Sequence, residues 1–213
     1  MLNRRRALAL IALLLLLPVA GCDREPEKNT EGEAALGGSP EPPPVHFYRE
    51  YVVVEPSTRV CRVNGLYFMR NLTDRPLEMG FDYPFPVGGP YAFPYQVFVH
   101  EVTDEGERAM GFVPGERSVT FRMRFGPGEE RRFRVRYAQQ IRGGRATYIV
   151  TTTRLWERPI ELAEFEIRIP PELEDVSLSF DPDSTATRND TTVHYLREID
   201  FYPDEDIVIT WDD

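Results

Sequence analysis

Apolar and polar side chains alternate with a period of two along most of the chain from His46 onward. The alternation runs through short stretches that end at Gly, Pro, Asn or Asp residues. It is plainest in Leu77 to Tyr83, Ser118 to Phe125 and Arg131 to Tyr137, where alternate residues are apolar. A period of two is typical of a β-strand with one buried face, and no comparable helical period is present.

The alternation predicts about ten or eleven strands. They are expected at residues 51–55, 64–72, 77–83, 95–103, 118–125, 131–137, 147–153, 161–169, 176–180, 192–196 and 207–211. Such a series predicts an all-β fold, an antiparallel immunoglobulin-like β-sandwich over residues 46–213. Pro170-Pro171 offers a seam, so residues 170–213 could form a separate subdomain, but we favour a single domain.

The N-terminus has a different pattern. Arg4-Arg5-Arg6 precede an apolar run over residues 7–20, which ends in Val19-Ala20-Gly21-Cys22. The charged start and the short apolar run are typical of an export signal. The last four residues resemble the lipobox of bacterial lipoproteins. The alternative is a plain secretory signal with an incidental cysteine.

The lipoprotein resemblance implies that residues 1–21 are a signal peptide cut off before Cys22. It also implies that Cys22 carries lipid, including an acyl chain such as palmitate. The mature protein would then be lipid-anchored to the cell membrane, facing the periplasm or the cell exterior. In enterobacterial lipoproteins an aspartate directly after the lipidated cysteine, as Asp23 is here, favours the inner membrane, so the resemblance implies that membrane if the host is Gram-negative and shares this sorting rule.

Residues 22–45 are rich in Glu, Pro and Gly and contain no aromatic side chain. Such a composition cannot bury enough apolar surface to fold, so we predict a disordered tether behind the lipidated cysteine. As a coil, the tether would span on the order of 25 Å.

The charge of the chain bears on its partners. The formal net charge is −10, and the first 21 residues carry three Arg and no acid, so the remainder carries −13. This balance disfavours nucleic acid as a partner, because phosphate binding requires the opposite sign. The only cysteines are Cys22 and Cys61. Lipidation of Cys22 would leave no internal disulfide, and Cys61 is expected to be a buried thiol.

One stretch resembles a second family. Phe68-Met69-Arg70-Asn71-Leu72-Thr73-Asp74-Arg75-Pro76-Leu77-Glu78, followed by Tyr83-Pro84-Phe85-Pro86, is similar to the signature of the VIT domain. That domain is a β-sandwich of inter-α-trypsin inhibitor heavy chains and of some bacterial surface proteins. The resemblance covers about twenty residues, and it implies a fold more than a function.

The segment from Phe121 to Tyr137 predicts a hairpin turning at Gly126-Pro127-Gly128. If its apolar residues face inward, five arginines share the outer face: Arg122, Arg124, Arg132, Arg134 and Arg136. The arginines either pair with internal acids such as Glu164 and Glu166, or form a docking face for an anionic partner.

Aromatic residues are dense between Phe81 and Phe98, and Tyr91, Phe93 and Tyr95 fall in its Pro- and Gly-rich part. Exposed rings there would stack on sugars or anchor a protein. Alternatively, the rings close one end of the sandwich. Exposure of these three side chains separates the two interpretations.

No motif for catalysis, a cofactor or a metal stands out. The three histidines lie far apart, and the acidic clusters Asp181-Pro182-Asp183 and Asp204-Glu205-Asp206 match no calcium loop. We therefore expect no catalytic residue and no cofactor. The prediction is a non-catalytic binding module with an envelope protein as partner. The alternatives are a carbohydrate-binding module for envelope polysaccharide and a hydrolase with a carboxylate site.

Overall fold

A computed structural model of the chain describes residues 43–212. This part of the chain contains fourteen strands and one 3₁₀ helix, Thr151–Trp156. The strands are β1 (Val45–Pro56), β2 (Val60–Asn71), β3 (Leu77–Pro84), β4 (Gln96–Thr103), β5 (Gly106–Ala109), β6 (Val113–Pro114), β7 (Ser118–Phe125), β8 (Glu130–Gln140), β9 (Arg145–Tyr148), β10 (Ile160–Ile169), β11 (Ser177–Leu178), β12 (Ser184–Arg188), β13 (Thr191–Phe201) and β14 (Ile207–Thr210).

The strands form two layers. One layer is an eight-stranded sheet in the order β12-β13-β10-β1-β2-β8-β4-β5. The other consists of two three-stranded sheets, β3-β7-β6 and β11-β14-β9. Ring contacts join the layers: Phe121 lies 5.0 Å from Phe133, and Tyr148 lies 6.2 Å from Phe165, between ring centroids. The predicted all-β sandwich is confirmed.

The large sheet contains one parallel pair, β1 with β10, while the other strand pairs of the described residues are antiparallel. Strands that follow Pro170 contribute to both layers, since β12 and β13 extend the large sheet and β14 pairs with β9. Residues 170–212 therefore share the core of the preceding strands.

The predicted strand at 147–153 is wrong in its second half. Strand β9 ends at Tyr148, and the 3₁₀ helix begins at Thr151. Asp206 explains the break, because its Oδ1 accepts hydrogen bonds from the backbone N–H groups of Val150 and Thr151 at 3.0 and 3.1 Å. The short strands β5, β6 and β12 were missed by the alternation, since they lie at sheet edges and are mostly exposed.

The stretch that resembles the VIT signature forms a crossing between the layers. Strand β2 ends at Asn71 in the large sheet, and β3 begins at Leu77 in the opposite layer. The Asn71 amide donates to the carbonyls of Arg75 and Gly126 at 2.8 and 2.7 Å and accepts from the N–H of Thr73 at 2.9 Å. Asn71 is buried. One side chain thus joins this crossing to the one after β7.

Strand β1 begins at Val45, one residue before the predicted start of the sandwich. The predicted signal peptide, the lipobox with Cys22 and the tether up to residue 42 lie outside the described residues. Within residues 43–212 there is no helix of sufficient length and apolar character to cross a membrane.

Candidate functional site

The predicted arginine hairpin does not form. Strand β7 pairs with β3 and β6, whereas β8 pairs with β2 and β4 in the large sheet. The segment between them crosses from one layer to the other. Because Phe121 and Phe133 face each other across the core, Arg122 and Arg132 point out of opposite layers. The five arginines therefore form no common face.

Internal acids neutralise these arginines, but not the acids that were expected. Glu78 accepts hydrogen bonds from Arg122 at 3.1 Å and from Arg124 at 2.6 Å, and these bonds lower the pKa of Glu78. The opposite layer carries separate pairs: Arg132 with Asp104 at 2.6 Å, Arg136 with Glu107 at 2.8 Å, and Arg134 with Glu107 at 2.9 Å. The Arg134 contact is an ion pair rather than an aligned hydrogen bond, since its Nε has no hydrogen-bond partner.

The expected acids serve other arginines. Glu164 pairs with Arg49 at 2.9 Å, and Glu166 pairs with Arg168 at 2.8 Å. These four residues are neighbours on the outer face of the large sheet. The arginines therefore do pair with internal acids, as one of the two interpretations held, but not with the two acids that it named.

The aromatic segment is mainly structural. The Tyr91 hydroxyl bonds to Thr147 Oγ1 at 2.7 Å, and the Phe93 ring packs edge-on against Phe85 with centroids 5.4 Å apart. Both side chains are half-buried. Tyr95 differs, because 58% of its surface is exposed. Of these three rings Tyr95 is thus the one that is mainly exposed, while Tyr91 and Phe93 are partly engaged in structural contacts.

Other candidates of the sequence have structural roles. Asp206 ends strand β9 as described, and Asp183 Oδ2 accepts from the N–H of Arg197 at 2.6 Å. Cys61 is buried, and burial raises the pKa of its thiol to about 12. No group of three or more His, Cys, Asp or Glu suited to a metal ion occurs in residues 43–212.

A cleft between the layers is the site that sequence reasoning missed. It lies in the gap between β3 and β9, the facing edges of the two small sheets, and its volume is about 70 Å³. The large sheet supplies Phe47, Glu50, Tyr67 and Phe133 as its floor; β3 and β7 supply Phe81, Asp82, Tyr83 and Phe121; the segment from β9 to the 3₁₀ helix supplies Tyr148, Thr152, Thr153 and Trp156.

A β-bulge in β1 turns Glu50 into this cleft. Phe47 pairs with Met69 but Arg49 already pairs with Phe68, so the residue between them, Tyr48, is extra. An extra residue places two consecutive side chains on the same face of a strand. Phe47 and Glu50 consequently both point inward, with Tyr48 and Arg49 outside between them.

Glu50 is buried without a partner. Its surface is 2% exposed, and burial raises the pKa of its carboxyl group to about 8, so the group is mainly protonated at neutral pH. Its Oε1 has no hydrogen-bond partner. Glu101, which is also buried among the described residues, contrasts with it, because Arg108 and Arg131 both pair with Glu101.

Seven buried side-chain atoms of the described residues have no hydrogen-bond partner, and two of them line the cleft, while others, such as Trp211 Nε1, lie elsewhere. Five polar or charged side chains are buried among the described residues: Glu50, Asn71, Glu101, Gln139 and Thr153. The side chains of Asn71 and Gln139 donate to backbone carbonyls, and Glu101 accepts from Arg108. Only Glu50 Oε1 and Thr153 Oγ1 lack a partner in this set, and both line the cleft. Buried polar atoms without a partner are rare in folded proteins, so each requires an explanation.

Three tyrosines surround Glu50. Tyr67 lies directly opposite Glu50 in the β1–β2 register, and its hydroxyl bonds to those of Tyr83 at 2.7 Å and Tyr148 at 2.9 Å. Burial raises the pKa of Tyr67 well above its usual value, so the trio is neutral. Gly65 leaves space for the Tyr67 hydroxyl, because a Cβ at position 65 would stand 1.9 Å from the hydroxyl oxygen.

The sequence carried no signal for Glu50. Apolar residues of both phases follow Phe47, since Tyr51 and Val53 continue its period of two while Val52 and Val54 have the other. The bulge is therefore seen only in the pairing of β1 with β2.

Comparisons with known proteins bear on the fold. No family model and no curated protein matches the chain. A solved structure from Legionella pneumophila, to which a nutrient-binding role is ascribed, is similar with a TM-score of 0.60 and 13% identity, over 79% of this chain and 67% of that one. An M1 zinc metallopeptidase from Deinococcus radiodurans is similar with a TM-score of 0.48 and 13% identity, over 78% of this chain. The match spans only 42% of the peptidase. At such identities the likeness shows the fold alone: the chain is an all-β sandwich.

Proposed function

We propose that this chain is a lipid-anchored, non-catalytic binding protein of a bacterial envelope, and that the cleft at Glu50 is its ligand site. The observation that carries the proposal is the pair of buried atoms without partners, Glu50 Oε1 and Thr153 Oγ1, in one cleft. A bound ligand would satisfy both atoms. Clefts with mostly apolar walls and a few convergent polar groups are typical ligand sites.

The interruption of the second layer supports a binding role. The edges of β3 and β9 do not pair with each other, so the gap between them gives access to the inner face of the large sheet. At its mouth, Asp82 is exposed and Thr152 is half-buried. Because Glu50 is 2% exposed, entry of a solute would require movement of side chains at this gap, but no separation of paired strands.

The anchor is proposed from the lipobox resemblance at Cys22. Each buried acyl CH₂ contributes about 0.8 kcal/mol, so two or more chains would make attachment durable. The tether would then hold the sandwich clear of the headgroups, in the periplasm or at the cell exterior. The polypeptide itself carries a net negative charge and would not adhere to an anionic membrane.

Ligand binding is tested with the lipidated protein, tagged at its C-terminus and purified in mild detergent from native membranes. Native mass spectrometry should detect a co-purified small molecule on the wild type and on Glu55→Gln, a matched control from the same strand. Glu50→Leu should lose it, because leucine removes the buried polar group. Equal occupancy of Glu50→Leu and wild type would contradict the proposal, provided that both unfold cooperatively.

The anchor is tested separately by membrane fractionation and radiolabelled palmitate. The wild type should label and sediment with membranes, and Cys22→Ser should do neither. A thiol titration in denaturant adds a count: one reactive thiol, from Cys61, is expected per wild-type chain. Two thiols would show that Cys22 is unmodified.

A second candidate function is contact with an envelope protein through Tyr95 and Phe98. The observation in its favour is exposure, since 58% of Tyr95 and 45% of Phe98 are accessible. Exposed aromatic side chains beside arginines are typical of protein interfaces, and Phe98 pairs in register with Arg136. Cross-linking in intact membranes should yield one specific adduct that Tyr95→Ala and Phe98→Ala both lose. A glycan-array signal in place of an adduct would favour polysaccharide.

A further inference from the structure

We propose that the cleft takes a small organic cation, an ammonium head group, which the Glu50 carboxylate and the surrounding aromatic rings hold. This inference rests on the proposed binding function of the cleft and specifies the chemical class of its ligand. Its basis is the sign of the charges in the cleft, its aromatic walls and its two unpartnered oxygens.

Glu50 is the carboxyl group at the floor of the cleft, and no Lys, Arg or His is among the described residues that line it. Asp82 also borders the cleft, but its side chain is exposed on the outer face of β3, where its Oδ1 accepts a hydrogen bond from Thr120 at 3.2 Å. A carboxyl group without a basic neighbour in the cleft disfavours an anion and, once ionised, attracts a cation.

The walls are aromatic. Trp156 packs near Phe81 and Phe47, with ring centroids 5.9 and 6.2 Å apart, and Phe121 and Phe133 complete the enclosure. The faces of aromatic rings carry partial negative charge and attract cations within about 6 Å. Rings combined with a carboxylate are therefore suited to an ammonium group rather than to a strongly hydrated metal ion.

The polar atoms match an ammonium group as well. A primary ammonium has three N–H donors and no acceptor. Glu50 Oε1 and Thr153 Oγ1 are both able to accept, and neither has a partner. The volume of about 70 Å³ exceeds the roughly 10–15 Å³ that a cavity needs in order to hold one water molecule, so a group the size of methylammonium fits. The rest of a larger solute would extend past Asp82.

Binding of a cation must be linked to a proton. The titratable groups that interact with Glu50 are Tyr67 from β2, Tyr83 from β3 and Tyr148 from β9, whereas the side chain of Asp82 lies on the outer face of β3. The lining residues from β7, β8 and the 3₁₀ helix carry no charge. Because Glu50 is mainly protonated in the free protein at neutral pH, an entering cation displaces the proton from its carboxyl group. The proton leaves to solvent, so binding strengthens as the pH rises toward 8.

The probe is methylammonium chloride, titrated calorimetrically into the purified lipidated protein at pH 6 and pH 8. With a pKa of about 8 for Glu50, the wild type should bind about fifty-fold more tightly at pH 8 than at pH 6. About one proton should be released per cation at pH 6, as measured in two buffers of different ionisation enthalpy. Glu55→Gln should behave as the wild type.

Glu50→Gln should bind at least about tenfold more weakly at pH 8 and lose the pH dependence, because an amide cannot become a carboxylate. Equal binding by wild type and Glu50→Gln, or equal wild-type affinity at both pH values, would overturn the inference.

The outcomes also separate this inference from the proposed function. Absence of methylammonium binding, together with a co-purified ligand that Glu50→Leu loses, would overturn the cation inference and leave the ligand site standing. That ligand would then be neutral and would bond to the protonated carboxyl group. Absence of both signals would overturn both proposals.

Discussion

Replacing Glu50 by glutamine should change how the stability of the protein depends on pH. Burial raises the pKa of Glu50 from 4.5 to about 8. Between these two values the native state holds a proton that the unfolded state has released, so stability falls as the pH rises. Below about pH 4.5 the contribution of Glu50 is fully present, and above about pH 8 it is lost.

The size of the effect follows from the interval between the two pKa values. Each pH unit in it corresponds to about 1.4 kcal/mol, and the whole interval to about 5 kcal/mol. The wild type should therefore lose about 4 kcal/mol relative to Glu50→Gln between pH 5 and pH 8. Glutamine keeps the shape of the side chain and does not titrate, so the difference isolates this one group.

The assay is urea unfolding of both proteins at pH 5, 6, 7, 8 and 9, with Glu55→Gln as a control from the same strand. Other carboxylates titrate equally in the wild type and Glu50→Gln, so their effects cancel in the difference between the two free energies of unfolding. Glu55→Gln should follow the wild type. Parallel pH profiles for the wild type and Glu50→Gln would refute a buried, protonated Glu50.

Three further experiments test the packing. Asn71→Ala should lower the free energy of unfolding by about 2–4 kcal/mol in urea, because its side-chain hydrogen bonds hold both layer crossings. Gly65→Ala should destabilise by about 1–3 kcal/mol by displacing the Tyr67 hydroxyl, whereas Gly80→Ala, which meets open space, should not; thermal unfolding compares them. Cys61 should resist a thiol reagent in the native protein at pH 8 and react at once in denaturant, since it is buried; fast native reaction would contradict its placement.

Local alternation was sufficient to predict the class of fold. Leu77 to Tyr83 and Ser118 to Phe125 became strands β3 and β7 with almost the predicted bounds, because a buried face imposes its period on the residues themselves. The break at Tyr148 was not predictable in this way, since it depends on Asp206, more than fifty residues away.

The arginine face shows a different limit. Alternation in β7 and β8 correctly separates inner from outer residues, but it carries no information on which sheet each strand joins. Gly126-Pro127-Gly128 is compatible with a hairpin turn and equally with a crossing between layers. The hydrogen bond from Asn71 and the pairing of β7 with β3 produce a crossing rather than a hairpin. Both are contacts between residues distant in sequence.

By itself, the sequence determined the period-two pattern, and with it an all-β chain whose inner faces are apolar. It also carried the lipobox resemblance at Cys22, from which the anchor is proposed. Only the tertiary structure decided that Glu50 points into the core, because the bulge at Tyr48 becomes visible when β1 is paired with β2. The side on which a residue lies depends on the register with a neighbouring strand, and register is a property of two segments rather than one.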